Sequence, residues 1–276
     1  MRKKILAVSA CLLLSLGVLF FTRTPQVIPL AANNIAVYGD SQSDSVHRKI
    51  VADILKLKPV VVFHTGDLTN DGNNPAFWKI FNSITGELRS KSEFYPALGN
   101  HENESPLYFA NFTLPNNEHW YSLERQGIHF IILDTGSPLH AGSEQFRWLE
   151  DDLKAVSKDV RFKLVFFHKP LFSVSKHGPD ELGLKADLLP LFEKYGVSAV
   201  FSGHEHGYQR FLYQGIYFIV SGGAGGSLYN KERDSPYLVK YVKAYNFSVL
   251  TVKPDGIDVV VYNIKLKPID KFEIKR

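Results

Sequence analysis

Five short apolar runs in this chain each break off at a residue type that binds metal ions, and this repeated ending constrains the fold most. Ala36-Val37-Tyr38 runs into Gly39-Asp40, and Val61-Val62-Phe63 leads through His64-Thr65 to Gly66-Asp67. Tyr95-Pro96-Ala97-Leu98 leads to Gly99-Asn100-His101-Glu102, and Leu164-Val165-Phe166-Phe167 to His168. Val200-Phe201-Ser202 leads to Gly203-His204-Glu205-His206. Runs this short, rich in β-branched and aromatic residues, read as strands rather than helices. In open α/β sheets, ligands bind outside the carboxyl ends of the strands. The glycines allow a sharp turn and a close approach there.

Helix-like stretches separate the runs. Asp44–Lys56 follows an Asp or Ser cap, and Asn74–Ile84 carries Pro75 in its first turn. Ser143–Val156 and Asp187–Tyr195 read as helices, whereas Ile128–Asp134 is a further strand. In the last third Ile216–Val220, Phe247–Val252 and Ile257–Tyr262 follow one another as strands. No internal repeat or long linker interrupts the pattern. It predicts one α/β domain over residues 33–276, with mixed sheets covered by helices and an antiparallel finish.

Residues 1–32 are different. Arg2, Lys3 and Lys4 precede an apolar run from Ile5 to Phe21, the charged-then-apolar order of an export signal. At 17 residues the run is at the short edge of a bilayer span, so a cleaved signal and a membrane anchor both fit. Either predicts an exported protein: periplasmic, extracellular, or anchored and facing outward. The leader also explains the charge. Its four basic residues have no acid beside them, and the remaining chain holds 28 basic against 28 acidic residues. Nothing in that balance predicts a nucleic-acid partner. The one cysteine, Cys11, lies in the leader, so the body has no thiol ligand and any metal must be held by His, Asp, Asn or water.

Convergence of the five strand ends would gather two carboxylates, one amide and three imidazoles around one cleft. That set suits two cations from iron, manganese or zinc. Gly-Asp, Gly-Asp, Gly-Asn-His-Glu, a strand-end His and Gly-His-x-His, in this order, resemble the calcineurin-like metallophosphoesterase signature, and most closely its purple acid phosphatase branch and small bacterial relatives. The resemblance covers Ile35 to Tyr262. It implies a four-layer α/β/β/α sandwich and metal-dependent hydrolysis of small phosphomonoesters or phosphodiesters. It also implies roles: Asp67 bridges two metals, Asp40 and His206 bind the first, and Asn100, His168 and His204 bind the second. His101 protonates the leaving oxygen, and His177, nine residues after His168, faces the phosphate.

Two positions depart from the pattern. The signature's Asp-x-His is Asp40-Ser41-Gln42 here, and the tyrosine that purple acid phosphatases place three residues after the bridging Asp is Asn70. The first metal then lacks its usual extra ligand, and Gln42, Asn70, His47 or a water is left to complete it. Without that tyrosine the protein is expected to be colourless. Blander readings stand beside the sharp ones. His64 and His47 read as core residues. Tyr208 and Arg210 either shape the pocket or brace the fold, and Ser221–Gly226 reads as a flexible turn without the lysine of a P-loop. Two rival functions follow from the same residues. Gly39-Asp40-Ser41 resembles the nucleophile block of SGNH esterases, although no late Asp-x-x-His supplies a base. The altered first block also allows a tethered, non-catalytic binding module on the same fold.

Overall fold

The computed structural model describes residues 34–42 and 45–276. The leader, Cys11 and the predicted cap before the first helix lie outside the described residues. In chain order the elements are β1 Asn34–Tyr38, α1 Ser45–Lys56, β2 Val61–His64, α2 Pro75–Lys91, β3 Glu93–Pro96 and α3 Pro106–Asn111. Then come β4 Tyr121–Arg125, β5 Ile128–Ile132, α4 Glu144–Ala155, β6 Phe162–Phe166, α5 Lys185–Tyr195 and β7 Ala199–Ser202. The chain ends with β8 Tyr208–Tyr213, β9 Ile216–Ser221, β10 Leu238–Val242, β11 Asn246–Val252, β12 Gly256–Asn263 and β13 Pro268–Lys275.

Two mixed sheets result, ordered β13-β12-β11-β1-β2-β3 and β10-β8-β9-β7-β6-β5-β4. Their layering follows from strand periodicity, because successive side chains point to opposite faces. In β1, Ile35 and Val37 join the core between the sheets, whereas Ala36 and Tyr38 pack on the α1 and α2 side. In β6, Leu164 and Phe166 enter the same central core while Val165 faces α4 and α5. Both faces of each strand are therefore apolar, as a sheet buried on both sides requires. Phe63 of one sheet stacks on Phe130 and Phe166 of the other, with ring centroids 4.7 and 4.3 Å apart. This is the four-layer α/β/β/α sandwich.

The elements not anticipated have polar or irregular sequences: α3, β4, β8, β10 and β13. Helix α2 also runs past Ile84 to Lys91, because Thr85 and Leu88 continue its buried stripe and Gly86 faces open space. Strand β8 hides its character because Gln209 and Arg210 are buried but paired. Asp270 of β13 accepts hydrogen bonds from Tyr208 Oη and Arg210 Nε, each 2.8 Å, and so ties one sheet to the other. Tyr208 and Arg210 thus brace the sandwich. Replacing Asp270 by Ala leaves a buried guanidinium and hydroxyl without their acceptor, and is expected to cost about 2–4 kcal/mol. The urea midpoint measures this, and an unchanged midpoint would contradict the bracing role.

Candidate metal centre

The parallel strands of both sheets end on one side of the sandwich, and their connecting loops meet there. Asp40, Asp67 and His204 hold left-handed backbone, with φ of 57°, 56° and 66°. Such strain costs roughly 1–3 kcal/mol per residue and collects at functional sites. Close packing aims these side chains inward. A methyl group on Gly99 would collide with the Asp67 carboxylate, and one on Gly203 would collide with that of Asp40.

His168 Nε2 lies 2.9 Å from Asn100 Oδ1, 3.2 Å from His204 Nδ1 and 3.3 Å from Asp67 Oδ2. A second group adjoins it, with His206 Nε2 3.5 Å from Asp40 Oδ1. The opposite nitrogen of each ring is already committed. His168 Nδ1 donates to Thr65 O at 2.9 Å, and His206 Nδ1 donates to Ser227 O at 2.9 Å. His204 Nε2 donates to Glu181 Oε2 at 3.0 Å. Each ring therefore turns a lone pair inward, since a carbonyl or carboxylate can only accept. With both rings neutral, two imidazole lone pairs, a carboxylate and an amide oxygen converge, so they can share a cation. An outer acceptor on each metal-facing imidazole is also how proteins orient such ligands. Burial disfavours a charged His168, but the Asp67 and Asp40 carboxylates outweigh it and raise its pKa to about 9. Burial and then the neighbouring His168 and His177 rings push His204 down to about 3.

All six sequence-predicted ligand residues are brought together here, and His101 and His177 stand beside them. His101 donates its backbone N–H to Asp67 Oδ1 at 3.0 Å and its Nδ1–H to Asn70 O at 2.6 Å. Its Nε2 is left facing Asp67 Oδ2 at 3.7 Å. The His177 ring stacks on His204, centroids 4.2 Å apart.

Several side chains that the sequence reading passed over organise the site. Glu102, fully buried, accepts the N–H groups of Asp67, Leu68, Thr69 and Gly99, at 2.9–3.2 Å. It thereby fixes the loop of Asp67 to the Asn100 loop rather than facing the cleft. Tyr229 stacks on His206 at 4.4 Å, and burial first, then Asp40, raises its phenol to about 12. In a second acidic and imidazole group, Glu104, His119 and Asp134, the buried carboxylate is taken up locally: Gly136 N, Ser137 Oγ and His119 all donate to Asp134.

Other expectations need correction. Ser221–Gly226 is not a flexible turn. Ala224 N and Gly226 N donate to Gly39 O and Asp40 O at 3.1 and 3.0 Å, and a methyl on Gly225 would collide with Ser41 O. It is a packed floor under the site. His47 is turned into the helix layer, with Nε2 3.4 Å from Tyr38 Oη, so it does not complete the first site; Asn70 donates its amide N–H to Gln42 O at 2.8 Å, a bond that does not use its amide oxygen. Gln42 Oε1 stays close to the His206 ring, both bordering Gly226. Ser41 does have a histidine partner, His64 Nε2 at 3.1 Å. Yet both are fully buried, and Ser41 donates to Leu68 O, so an ester cannot reach its oxygen.

Two facing mixed sheets with cation-demanding loops at their strand ends define a metal-site α/β/β/α protein. A family model, "Calcineurin-like phosphoesterase", matches residues 34–208, and the chain belongs to that family. It is 26% identical over 234 residues to probable purple acid phosphatase 20 of Arabidopsis thaliana, covering 75% of this chain and 54% of that protein. Purple acid phosphatase 21 of Arabidopsis thaliana is 29% identical over 210 residues, covering 69% and 47%. The chain spans about half the length of these curated relatives. Among solved structures it resembles purple acid phosphatase PPD1 from yellow lupin (Lupinus luteus) seeds, with a TM-score of 0.79 and 21% identity over 88% of this chain and 54% of that one. GAP50 of Plasmodium, described as the anchor in the inner membrane complex, has a TM-score of 0.75 and 18% identity, covering 88% of each chain.

Proposed function

We propose that the chain hydrolyses phosphate esters at a dinuclear metal centre held by Asp40, Asp67, Asn100, His168, His204 and His206. The observation that carries this reading is the convergence of two imidazole nitrogens, a carboxylate and an amide oxygen beside a second Asp–His pair. Asp67, in contact with His168 and with its charge felt by Asp40 and His206, would bridge the two groups. Two bound cations of iron, manganese or zinc would supply charge neutralisation at the phosphoryl group and activation of a water at neutral pH. The protein's own residues do the rest. With Nδ1–H held by Asn70 O, the imidazolium form of His101 would carry at Nε2 the proton for the departing oxygen. His177, its ring stacked on His204, would offer a ring N–H to the phosphate. Residues 1–32 form a leader that places the domain of residues 33–276 outside the membrane.

A second reading rests on Asn70 and Gln42. With Gln42 and Asn70 at these positions, the Asp40–His206 pair gains neither a histidine nor a tyrosinate, and the first cation would be held more weakly. In its extreme form this is a tethered module that binds without turnover.

Metal analysis of the purified chain, paired with hydrolysis of aryl phosphate mono- and diesters before and after chelation, separates the readings. About two metals per chain are expected, with activity abolished by chelation and restored by manganese, zinc or iron. Intact cells expressing the full chain are expected to hydrolyse a non-permeant ester. Metal without any turnover would instead establish the binding module, and chelator-resistant activity would overturn both.

A further inference from the structure

Between the two histidines of the Gly203–His206 loop stands a carboxylate for which the proposed chemistry has no use. Glu205 is fully buried, and its one ion-pair neighbour among the described residues is His177 Nδ1 at 3.8 Å. A buried carboxylate costs several kcal/mol of desolvation, and a scaffold alone would be served as well by an apolar side chain.

Its hydrogen bonds point to a task. Glu205 Oε1 accepts the backbone N–H of His177 at 2.8 Å, and Oε2 accepts the hydroxyl of Ser175. Gln209, four residues on, completes the grip. Its Nε2 donates to Ser175 Oγ at 2.8 Å, and its Oε1 accepts Val174 N–H at 2.9 Å. From the other side, Glu232 N and Arg233 N donate to Val174 O at 2.7 and 3.1 Å. The segment bearing His177 is an irregular loop, yet its polar backbone groups are held as firmly as a strand's. That grip sets the His177 ring on His204 and edge-on to Tyr229, 5.5 Å away.

We propose that Glu205 is a positioning residue that acts through His177. It fixes the substrate-facing loop to the loop that carries two of the metal-binding histidines, so that phosphate meets a preformed donor. Preorganisation of this kind raises affinity by removing the ordering cost from the binding step. The assignment rests on the phosphoesterase reading above.

The test is a double-mutant cycle in the full chain, with Glu205→Ala, His177→Ala, both together, and Glu205→Gln. Metal content, the Kd of inorganic phosphate, and kcat and KM for an aryl phosphate are read for each. Glu205→Ala is expected to weaken phosphate binding and raise KM about tenfold, with metal content unchanged and kcat lowered less. Glu205→Gln keeps an acceptor for His177 N–H and is expected to stay within about threefold of wild type. The double variant should be no worse than His177→Ala alone. Should Glu205→Ala not fold, Ser175→Ala takes its place in the same cycle with the same expected pattern. An equal loss in the presence and absence of the His177 ring, or metal lost in Glu205→Gln, overturns the assignment alone. A wild-type protein that holds metal but binds no phosphate overturns the phosphoesterase reading, and this assignment with it.

Discussion

Replacing Asp67 by Asn is expected to abolish phosphoester hydrolysis and to lower the metal content of the purified protein. The substitution preserves shape and keeps an oxygen to accept the His101 N–H, so the fold should survive. What it removes is the charge that the proposed dinuclear centre would share between its two cations. Asp67 Oδ2 lies 3.3 Å from His168 Nε2, and the carboxyl is held in its ionised form despite burial by the neighbouring His168 and His101. Loss of a supporting residue around a metal costs roughly 10–100-fold in affinity or activity, and loss of the bridging charge should cost more. Metal analysis and turnover on the same preparation are the measurement. Near-normal turnover in Asp67→Asn would sink the dinuclear assignment.

The second large effect is expected at His101, and it should dissociate activity from metal binding. The ring is outside the converging acceptors, with Nδ1 tied to Asn70 O and Nε2 turned toward Asp67 and the cleft. His101→Ala should therefore retain its metals while kcat falls by about 10²–10⁴-fold, the range lost with a general acid. The deficit should shrink for esters whose leaving group is already acidic and needs no proton. A uniform loss across leaving groups would assign His101 a purely structural role, and a loss of metal would place it among the ligands.

The two predictions differ because the two residues act at different depths, and the loops explain why. Asp67 and Asn100 are held to each other by Glu102, whose carboxylate accepts four backbone N–H groups from the two loops. Burial first, and the Asp67 charge second, push the Glu102 carboxyl up to about 8, so the loop anchor itself feels the charge of the site. His204 and His168 are held from outside by Glu181 and Thr65 O. Lys169 in turn pairs with Glu181 at 2.8 Å, closing a chain from one strand end to the next. Geometry at the centre is therefore maintained by residues outside the six candidate ligands.

The layered α/β fold and the gathering of Asp40, Asp67, Asn100, His168, His204 and His206 were legible in the chain alone. Each depends on a contiguous pattern: apolar residues at strand periodicity, a glycine or sharp break, then a ligand-type residue. Local chemistry of that kind is written within a few neighbours. The shorter or more polar elements were not legible, because burial of Gln209 and Arg210 in β8 makes sense only once Val174, Ser175 and Asp270 are beside them.

Only the tertiary structure decided the rest. Glu181 and Glu205 look like ordinary acidic residues in sequence, the Gly-Asn-His-Glu block gives Glu102 no visible task, and Glu205 meets His177 from 28 positions away. Ser221–Gly226 looks flexible until Gly39, Asp40 and Ser41 are packed against it. Ser41 looks like a nucleophile until burial and Leu68 O take its hydroxyl. Sequence determines which groups arrive at a strand end, because that is a matter of periodicity and turn chemistry. Which of them keeps a lone pair for a cation, and which spends it on a neighbouring loop, is decided by long-range hydrogen bonds that exist only after the sheets have closed.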